Sequence, residues 1–507
     1  MTRKLESSRQ HLRRALAFAR RLQIIPTVAC ILLTTTLTAS QLPSPDQDTA
    51  PGPSEVPLPP NVVLIVIDDF GIDLMSGYGE HSGAPNTPYL DDLATSGLLF
   101  RNCWTNPICS PTRAQILTGR HGFRTGVGSV VSVNHSNTNI GLDLSEVTIP
   151  EKLATIRPYP YASSAVGKWH LVDDDDSNFL GNPQMQGFDD YSGAMFNLNK
   201  NAALGGDPCM ADSTTVRLGY CKWVKNNGVA EVCEDRYATL DTTEDAVQRA
   251  SAMQEPWFLY VAYNAVHSPF HEPPDSTCQL DCMCAPSGDK VADLAAMVVD
   301  LDQRIGDMLT RIRMEDPNTL VIVIGDNGTD GQAINEQGCF VADRAKATPY
   351  EAGVNVPLII NGPGVTPGHV EALVNSTDIF STVMRVAGGT HTATDSVSLV
   401  PFFTDAAAPG RDYVYAEQFG PNFLPGQFDP TILDSHTRTI RDRDGFKLIV
   451  RWNPTDGRTE EFYDLNTDPC ELTSLCTSDV GDCMPTGPPR NAYRALVAEL
   501  ARMEVYP

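Results

Sequence analysis

The sequence predicts an α/β protein: a large central, mostly parallel mixed sheet flanked by helices, followed by a smaller C-terminal α+β subdomain containing an antiparallel sheet. Three observations carry this. From Asn61 onward, short apolar runs alternate with stretches of helical spacing, the pattern of strands joined by helical crossovers. Four runs end abruptly in polar residues: "VVLIVI" in Asp68 and Asp69, "SSAV" in "GKWH", "WFLYVAY" in "NAVHSP" and "TLVIVI" in "GDNG". Beyond about Gly410 the pattern becomes strand-like, with "RTIRDRDGFKLIVRW" reading as a hairpin around Asp444 and Gly445, then the helix-like "NAYRALVAELARMEV".

In chain order, residues 1–40 open with a basic stretch and continue into a short apolar run interrupted by Pro26. This is the pattern of an export signal, with an N-terminal membrane anchor as the alternative. "RRLQII" allows a twin-arginine route, and Cys30 in "TVAC" is a poor match to a lipid attachment site. Residues 41–60 form a Pro/Ser-rich linker without a core-forming pattern. Residues 61–410 are then the catalytic domain and 411–507 the smaller subdomain. Within the former, residues 291–312 have helical apolar spacing, and their Asp and Arg residues are expected on a solvated face. The run at 173–176 reads as an exposed acidic loop, with calcium binding the alternative. There are no internal repeats.

Composition narrows the function. Hydrophobic residues make up 41% and charged residues 20%, and no apolar series is long enough to span a membrane securely. The net charge of −26 excludes a nucleic-acid partner and would repel polyanions unless the site is locally basic. Of thirteen cysteines, setting aside Cys30 and Cys109 leaves eleven, an odd number, so at least one further thiol is unpaired or pairs between chains. Cys278, Cys282 and Cys284 lack the spacing of two zinc knuckles, and in an exported chain disulfides are the expected state.

Cys109 sits in "TNPICSPTRAQILTGR" (105–120), where Ser110 reads as an N-cap, Pro111 as the first helical residue and Gly119 as the stop. A cysteine before a helix N-terminus faces a place suited to anions, and Arg113 adds a planar cation in the first turn. Asp68, Asp69, Asp326 and Asn327 are hard oxygen donors at two strand ends, a donor set for Ca²⁺ or Mg²⁺. Arg113, Lys168, His170, His267 and Lys346 could supply charge and proton transfer around them. Each also has an ordinary reading alone: strand-end caps for the acids, a surface lysine, a hydrogen-bonded histidine. Ligand sites in open α/β sheets gather at the carboxyl ends of strands, so these segments are expected to converge.

The combination resembles the sulfatase family. "VIDDFG", "CSPTR" with "AQILTGR", "GKWH", "YVAYNAVHSP", "GDNG", "KATPYEAGVNVPLI" and "FYDLNTDPCE" occur in family order over nearly the whole chain after the linker. The resemblance implies that a formylglycine-generating enzyme oxidises Cys109 to formylglycine, which hydrates to a diol. One diol oxygen attacks sulfur, and deprotonation of the other expels sulfate. It also implies one divalent cation, usually calcium, held by Asp68, Asp69, Asp326, Asn327 and the modified residue 109. Arg113 would stabilise the hydrate, Lys168 the sulfate, His170 would act as base in releasing sulfate, and His267 and Lys346 would neutralise or protonate the leaving oxygen. The expected substrate is a sulfated small molecule or saccharide. A phosphate or phosphonate monoester hydrolase on the same scaffold is the nearest alternative. A silent binding protein with Cys109 in a disulfide is the second. The acidic run after "GKWHL" and the many cysteines depart from the family pattern and bear on pocket shape.

Overall fold

The computed structural model describes residues 57–131, 140–174, 176–198, 219–274, 284, 286–427, 433–476, 483 and 485–505. The expected export segment, the linker up to residue 56, Cys30, Asp175, Cys278 and Cys282 lie outside the described residues.

The strands are β1 (Asn61–Ile67), β2 (Leu98–Trp104), β3 (Ala162–Gly167), β4 (Asp190–Ser192), β5 (Trp223–Asn226), β6 (Glu231–Glu234), β7 (Trp257–Tyr263), β8 (Thr319–Gly325), β9 (Leu358–Asn361), β10 (Gly368–Asn375), β11 (Tyr413–Gly420), β12 (Ser435–Asp442), β13 (Phe446–Asn453) and β14 (Gly457–Asp464). Eight of them form one sheet in the order β10-β2-β9-β8-β1-β7-β3-β4. Every neighbouring pair is parallel except those made by β9, which runs against both β2 and β8. The expected mostly parallel mixed sheet is thus the observed one. The four runs singled out from the sequence are adjacent strands, β8-β1-β7-β3, so their polar ends open on the same edge.

The buried faces explain the continuous apolar runs. In β1, Val62, Leu64 and Val66 join the core on one side of the sheet, while Val63, Ile65 and Ile67 join the core on the other. Each such side chain contributes about 1.5–3 kcal/mol on burial. A one-residue slip would exchange the two faces, so the packing fixes the register that aligns the strand ends. Ala114, Ile116 and Leu117 of the Cys109–Thr118 helix cover the first face, with Ile379, Phe380 and Val383 of the Asp378–Val386 helix. The other face is covered by Leu294, Met297, Val298, Leu301, Ile305 and Met308. They lie on the Lys290–Glu315 helix, whose N-cap Asp289 accepts from the backbone N–H groups of Val291 and Ala292.

That helix corrects one expectation. Asp293 and Asp302 are buried rather than solvated. Asp302 accepts backbone N–H groups from Tyr89 and Leu90 at 3.1 and 2.8 Å, in the first turn of the Pro88–Thr95 helix. Helical periodicity identifies the apolar stripe but cannot see an acid at its edge that another helix requires.

The C-terminal strands form an antiparallel sheet, β11-β12-β13-β14, and the expected hairpin is β12–β13, with Gly445 at φ 89°. The Pro489–Val505 helix packs on this sheet through Leu496 and Leu500. Disulfides join Cys221 to Cys284, Cys339 to Cys470 and Cys476 to Cys483. Cys284 is therefore a half-cystine, as its context suggests. Cys103 is unpaired and buried, in keeping with the odd cysteine count.

Candidate active site

The Cys109–Thr118 helix begins two residues earlier than its sequence signals suggest. Extended Ile108 is the N-cap and Cys109 the first helical residue. Ser110 is not the cap: its hydroxyl accepts the Val131 N–H at 3.1 Å. Pro111 is accordingly the third helical residue, and Arg113 lies in the second turn rather than the first. The stop is as expected. Gly119 adopts φ 67°, and a Cβ there would lie 2.6 Å from the Ala393 Cβ. Cys109 carries a free thiol, 2% exposed, so the reading with a disulfide at this position is overturned.

Around this helix start the strand ends deliver their acids. One ligand atom each from Asp68, Cys109 and Asp326 lie within 4.8 Å of one another, all buried. The Asp326 carboxylate accepts Nε and Nη2 of Arg113 at 3.0 and 2.8 Å on one oxygen and the backbone N–H of Asp69 at 3.1 Å on the other. Arg113 Nη1 donates to the Lys168 carbonyl at 2.9 Å, tying the helix to the end of β3. Lys168 Nζ donates to Asp68 Oδ2 at 2.5 Å. Asn327 Nδ2 donates to Asp69 Oδ1 at 2.8 Å, and Lys346 Nζ donates to Asp69 Oδ2 at 2.7 Å.

His267 Nδ1 lies 2.8 Å from the Ser268 carbonyl, which can only accept, so this nitrogen carries the proton. Nε2 then faces Asp69 at 3.9 Å. His170, held at φ 63°, has its ring edge-on to Phe196. All ten residues singled out from the sequence belong to this cluster or its wall.

In the ten site residues, three buried side-chain atoms have no hydrogen-bond partner among the described residues: Asp68 Oδ1, Asn327 Oδ1 and His170 Nδ1. Asp68 belongs to the buried group with Cys109 and Asp326, and Asn327 follows Asp326 and bonds Asp69. Fully buried oxygens without a donor cost stability, and hard oxygens grouped like this suit a hard cation.

The electrostatics follow from burial and neighbours. Burial alone would raise the Asp68 carboxyl, but Lys168, with Arg113 and Lys346, holds it far below the usual range. Burial and the Asp68 carboxylate push Asp326 up to about 7 against the pull of Arg113. Burial pushes the Cys109 thiol up, so an unmodified cysteine here is protonated and a poor nucleophile. His170 is driven well below its ordinary value by burial, then by Lys168 and Arg113, and is a neutral base at neutral pH. Burial also lowers His267. Lys346 goes the other way: burial lowers it, but Asp69, Cys109 and Asp68 together outweigh burial and keep the ammonium charged.

Sequence reasoning missed what supports the cluster. Tyr220 OH reaches the carbonyls of Asn264 and His267 at 2.6 and 2.7 Å, bracketing the turn that carries His267. A Cβ on Gly328 would meet the Ala352 carbonyl at 1.9 Å, so only glycine lets the Asn327 turn press against the segment after Lys346. Glu351, Lys447 and Glu471 form a buried ion-pair cluster behind that segment. "GDNG" contained the glycine signal; nothing in the sequence pairs Lys447 with Glu351.

Fold and site together define an α/β protein with a buried acid and base cluster at its parallel strand ends, built around a helix N-terminus. Comparison with known proteins gives the family. The Sulfatase family model matches residues 60–389. Human arylsulfatase A is 30% identical over 392 residues, 73% of each chain. Human N-acetylgalactosamine-6-sulfatase is 31% identical over 389 residues, 72% of this chain and 69% of that one. Among solved structures, BT4656 in complex with its substrate D-glucosamine-2-N,6-O-disulfate aligns with a TM-score of 0.62 at 18% identity, covering 88% of this chain and 96% of that one. The chain belongs to the sulfatase family, and its reaction is that of a sulfuric ester hydrolase: a sulfate ester and water give an alcohol or phenol and inorganic sulfate.

Proposed function

We propose that this sulfatase acts on sulfated saccharides through residue 109, oxidised from cysteine to formylglycine and hydrated, beside one divalent cation, with calcium the first candidate and magnesium the alternative. The observation that carries the reading is the buried group of Asp68, Cys109 and Asp326, in which Asp68 Oδ1, like Asn327 Oδ1 beside Asp326 in the chain, has no donor and burial keeps the thiol protonated. Asp68, Asp69, Asp326 and Asn327, with residue 109, would hold the cation. Bound there, it would supply Lewis-acid polarisation of the sulfate oxygens and of the attacking oxygen.

The chain's own side chains divide the remaining work. Arg113, fixed by Asp326 and the Lys168 carbonyl, holds its guanidinium rigidly in the cluster to orient the residue-109 hydrate. Lys168 presents its charge to the sulfate. His170, buried and neutral with Nδ1 unpartnered, is the base that takes up a proton as sulfate departs. Lys346 stays charged and neutralises the leaving oxygen, while His267, with its proton on Nδ1 and Nε2 open, acts beside it. Three carboxylates balance three basic side chains here, so a bound cation would make the pocket locally positive despite the acidic surface.

The saccharide class is supported by two relatives whose names specify sugar sulfates. Disulfides support an exported location, with a formylglycine-generating enzyme met on the way. No helix among the described residues is long and apolar enough to cross a membrane. The change from a mixed to an antiparallel sheet between Asn375 and Tyr413 supports dividing the chain at residues 61–410 and 411–507.

Peptide mass spectrometry tests the nucleophile. Trypsin releases "NCWTNPICSPTR" with both Cys103 and Cys109, neither in a disulfide. After unfolding and alkylation, converted peptide carries one label, at Cys103, and an aldehyde reactive toward a hydrazide. Fully active enzyme yielding only the doubly alkylated peptide overturns the proposal.

A further inference from the structure

Among the described residues, four that are not glycine hold a left-handed φ: Asp69 at 57°, His170 at 63°, Ala347 at 67° and Glu471 at 56°. Such strain persists only where the surroundings impose it. Three of the four are in the site or adjoin Lys346. The fourth, Glu471, lies beyond β14 and touches no reacting group.

Two of its hydrogen bonds reach the segment carrying Lys346. The Glu471 carbonyl accepts from Arg344 Nη1 at 2.6 Å, two residues before Lys346, and its carboxylate accepts the Glu351 N–H at 2.7 Å, five residues after. The preceding residue, Cys470, is disulfide-bonded to Cys339. The other carboxylate oxygen pairs with Lys447 at 2.8 Å, and Lys447 pairs with Glu351 at 3.1 Å. On the site side the segment is held by the Lys346 N–H donating to the Thr329 carbonyl at 3.0 Å. The Ala347 N–H donates to the Pro107 carbonyl at 2.8 Å, two residues before Cys109. A lysine has a long, flexible stem, so its ammonium is placed only as well as the backbone beneath it.

We propose that Glu471 is a positioning residue for Lys346, holding the segment from both sides so that the ammonium sits at Asp69 and the leaving oxygen. This rests on the leaving-group role assigned to Lys346 above. The test compares a p-nitrophenyl sulfate with an alkyl sulfate in the full-length enzyme. The variants are Glu471→Ala, Lys346→Ala and the double, normalised to residue-109 conversion. Glu471→Ala is expected to lower kcat for the alkyl ester on the order of 10²-fold, the aryl ester far less, and KM little. Adding it to Lys346→Ala should cost no further selectivity, and Glu471→Gln, which keeps an acceptor for the Glu351 N–H, should restore most of the loss. If Glu471→Ala does not fold, Arg344→Ala cuts the other tie to the same segment and takes its place. Equal losses on both esters, or losses that multiply with Lys346→Ala, overturn the proposal. If Lys346→Ala itself shows no preference between the esters, the leaving-group role falls. Glu471 is then judged by multiplication alone: losses that multiply reject it, and losses that do not retain it.

Discussion

Two clusters of opposite charges are buried in this molecule, and they are finished differently. At the ends of β8-β1-β7-β3, Asp68, Asp69 and Asp326 face Arg113, Lys168 and Lys346, yet Asp68 Oδ1 and Asn327 Oδ1 remain without donors. Where the four-stranded sheet meets the main one, Lys447 is enclosed by Glu351, Glu471 and the face of Trp104, 4.7 Å from the ring centroid. Arg441 closes the far side of Glu351 at 3.2 Å. Burying charge is costly in both places. The second cluster meets the cost by ion pairing and holds structure, although Arg441 Nε has no hydrogen-bond partner among the described residues and Glu471 Oε1 has only its ion pair with Lys447. The first leaves two acceptor oxygens without a donor, the opening that the proposed cation would fill.

The strongest way to test that contrast is to remove the group the open cluster surrounds. Cys109→Ala should lower turnover by more than about 10⁴-fold while the thermal midpoint stays near that of the parent. An active Cys109→Ala enzyme would sink the reading. Next, Asp326→Asn should cost about 10³-fold, roughly 4 kcal/mol in transition-state stabilisation, with a parallel fall in bound metal by elemental analysis. Full activity after exhaustive chelation, with no metal found, would contradict it. In the closed cluster the effect should move from rate to stability. Lys447→Met leaves two buried carboxylates facing each other and should cost about 3–5 kcal/mol in denaturant unfolding, and a cost under about 1 kcal/mol would erase the contrast. The smallest effect is in pH. Burial would raise the Glu351 carboxyl, but Lys447 and Arg441 hold it below its ordinary 4.5. Its stabilisation is therefore complete above that value and is lost as pH falls below it. Glu351→Gln should be less stable than the parent at neutral pH, with the gap narrowing below about pH 4.5. A constant gap would show that the ionised form is not what stabilises.

The open cluster was legible in the sequence and the closed one was not, for a physical reason. Strands buried on both faces announce themselves as apolar runs, and the polar residues soon after them, Asp68, Lys168, His267 and Asp326, must lie near the sheet edge. β9 was harder: "LIIN" is too short for periodicity to distinguish strand from helix, and its reversed direction depends on neighbours far away in sequence. The misplaced helix start at Ser110 shows a local cap preference yielding to a tertiary partner, Val131. Asp302, and Lys447 with Glu351, are the same case: charges explained only by partners that sequence spacing does not bring together.

Cys109 is 2% exposed under the fold's own side chains. If it is converted as proposed, no second enzyme can take a thiol so enclosed into its own active site once the chain has closed. Conversion and folding then compete for the same nascent chain, and the winner is decided once per molecule. The active fraction of a preparation would record the outcome of that race during synthesis, and refolding an unconverted chain afterwards would restore its shape without its activity.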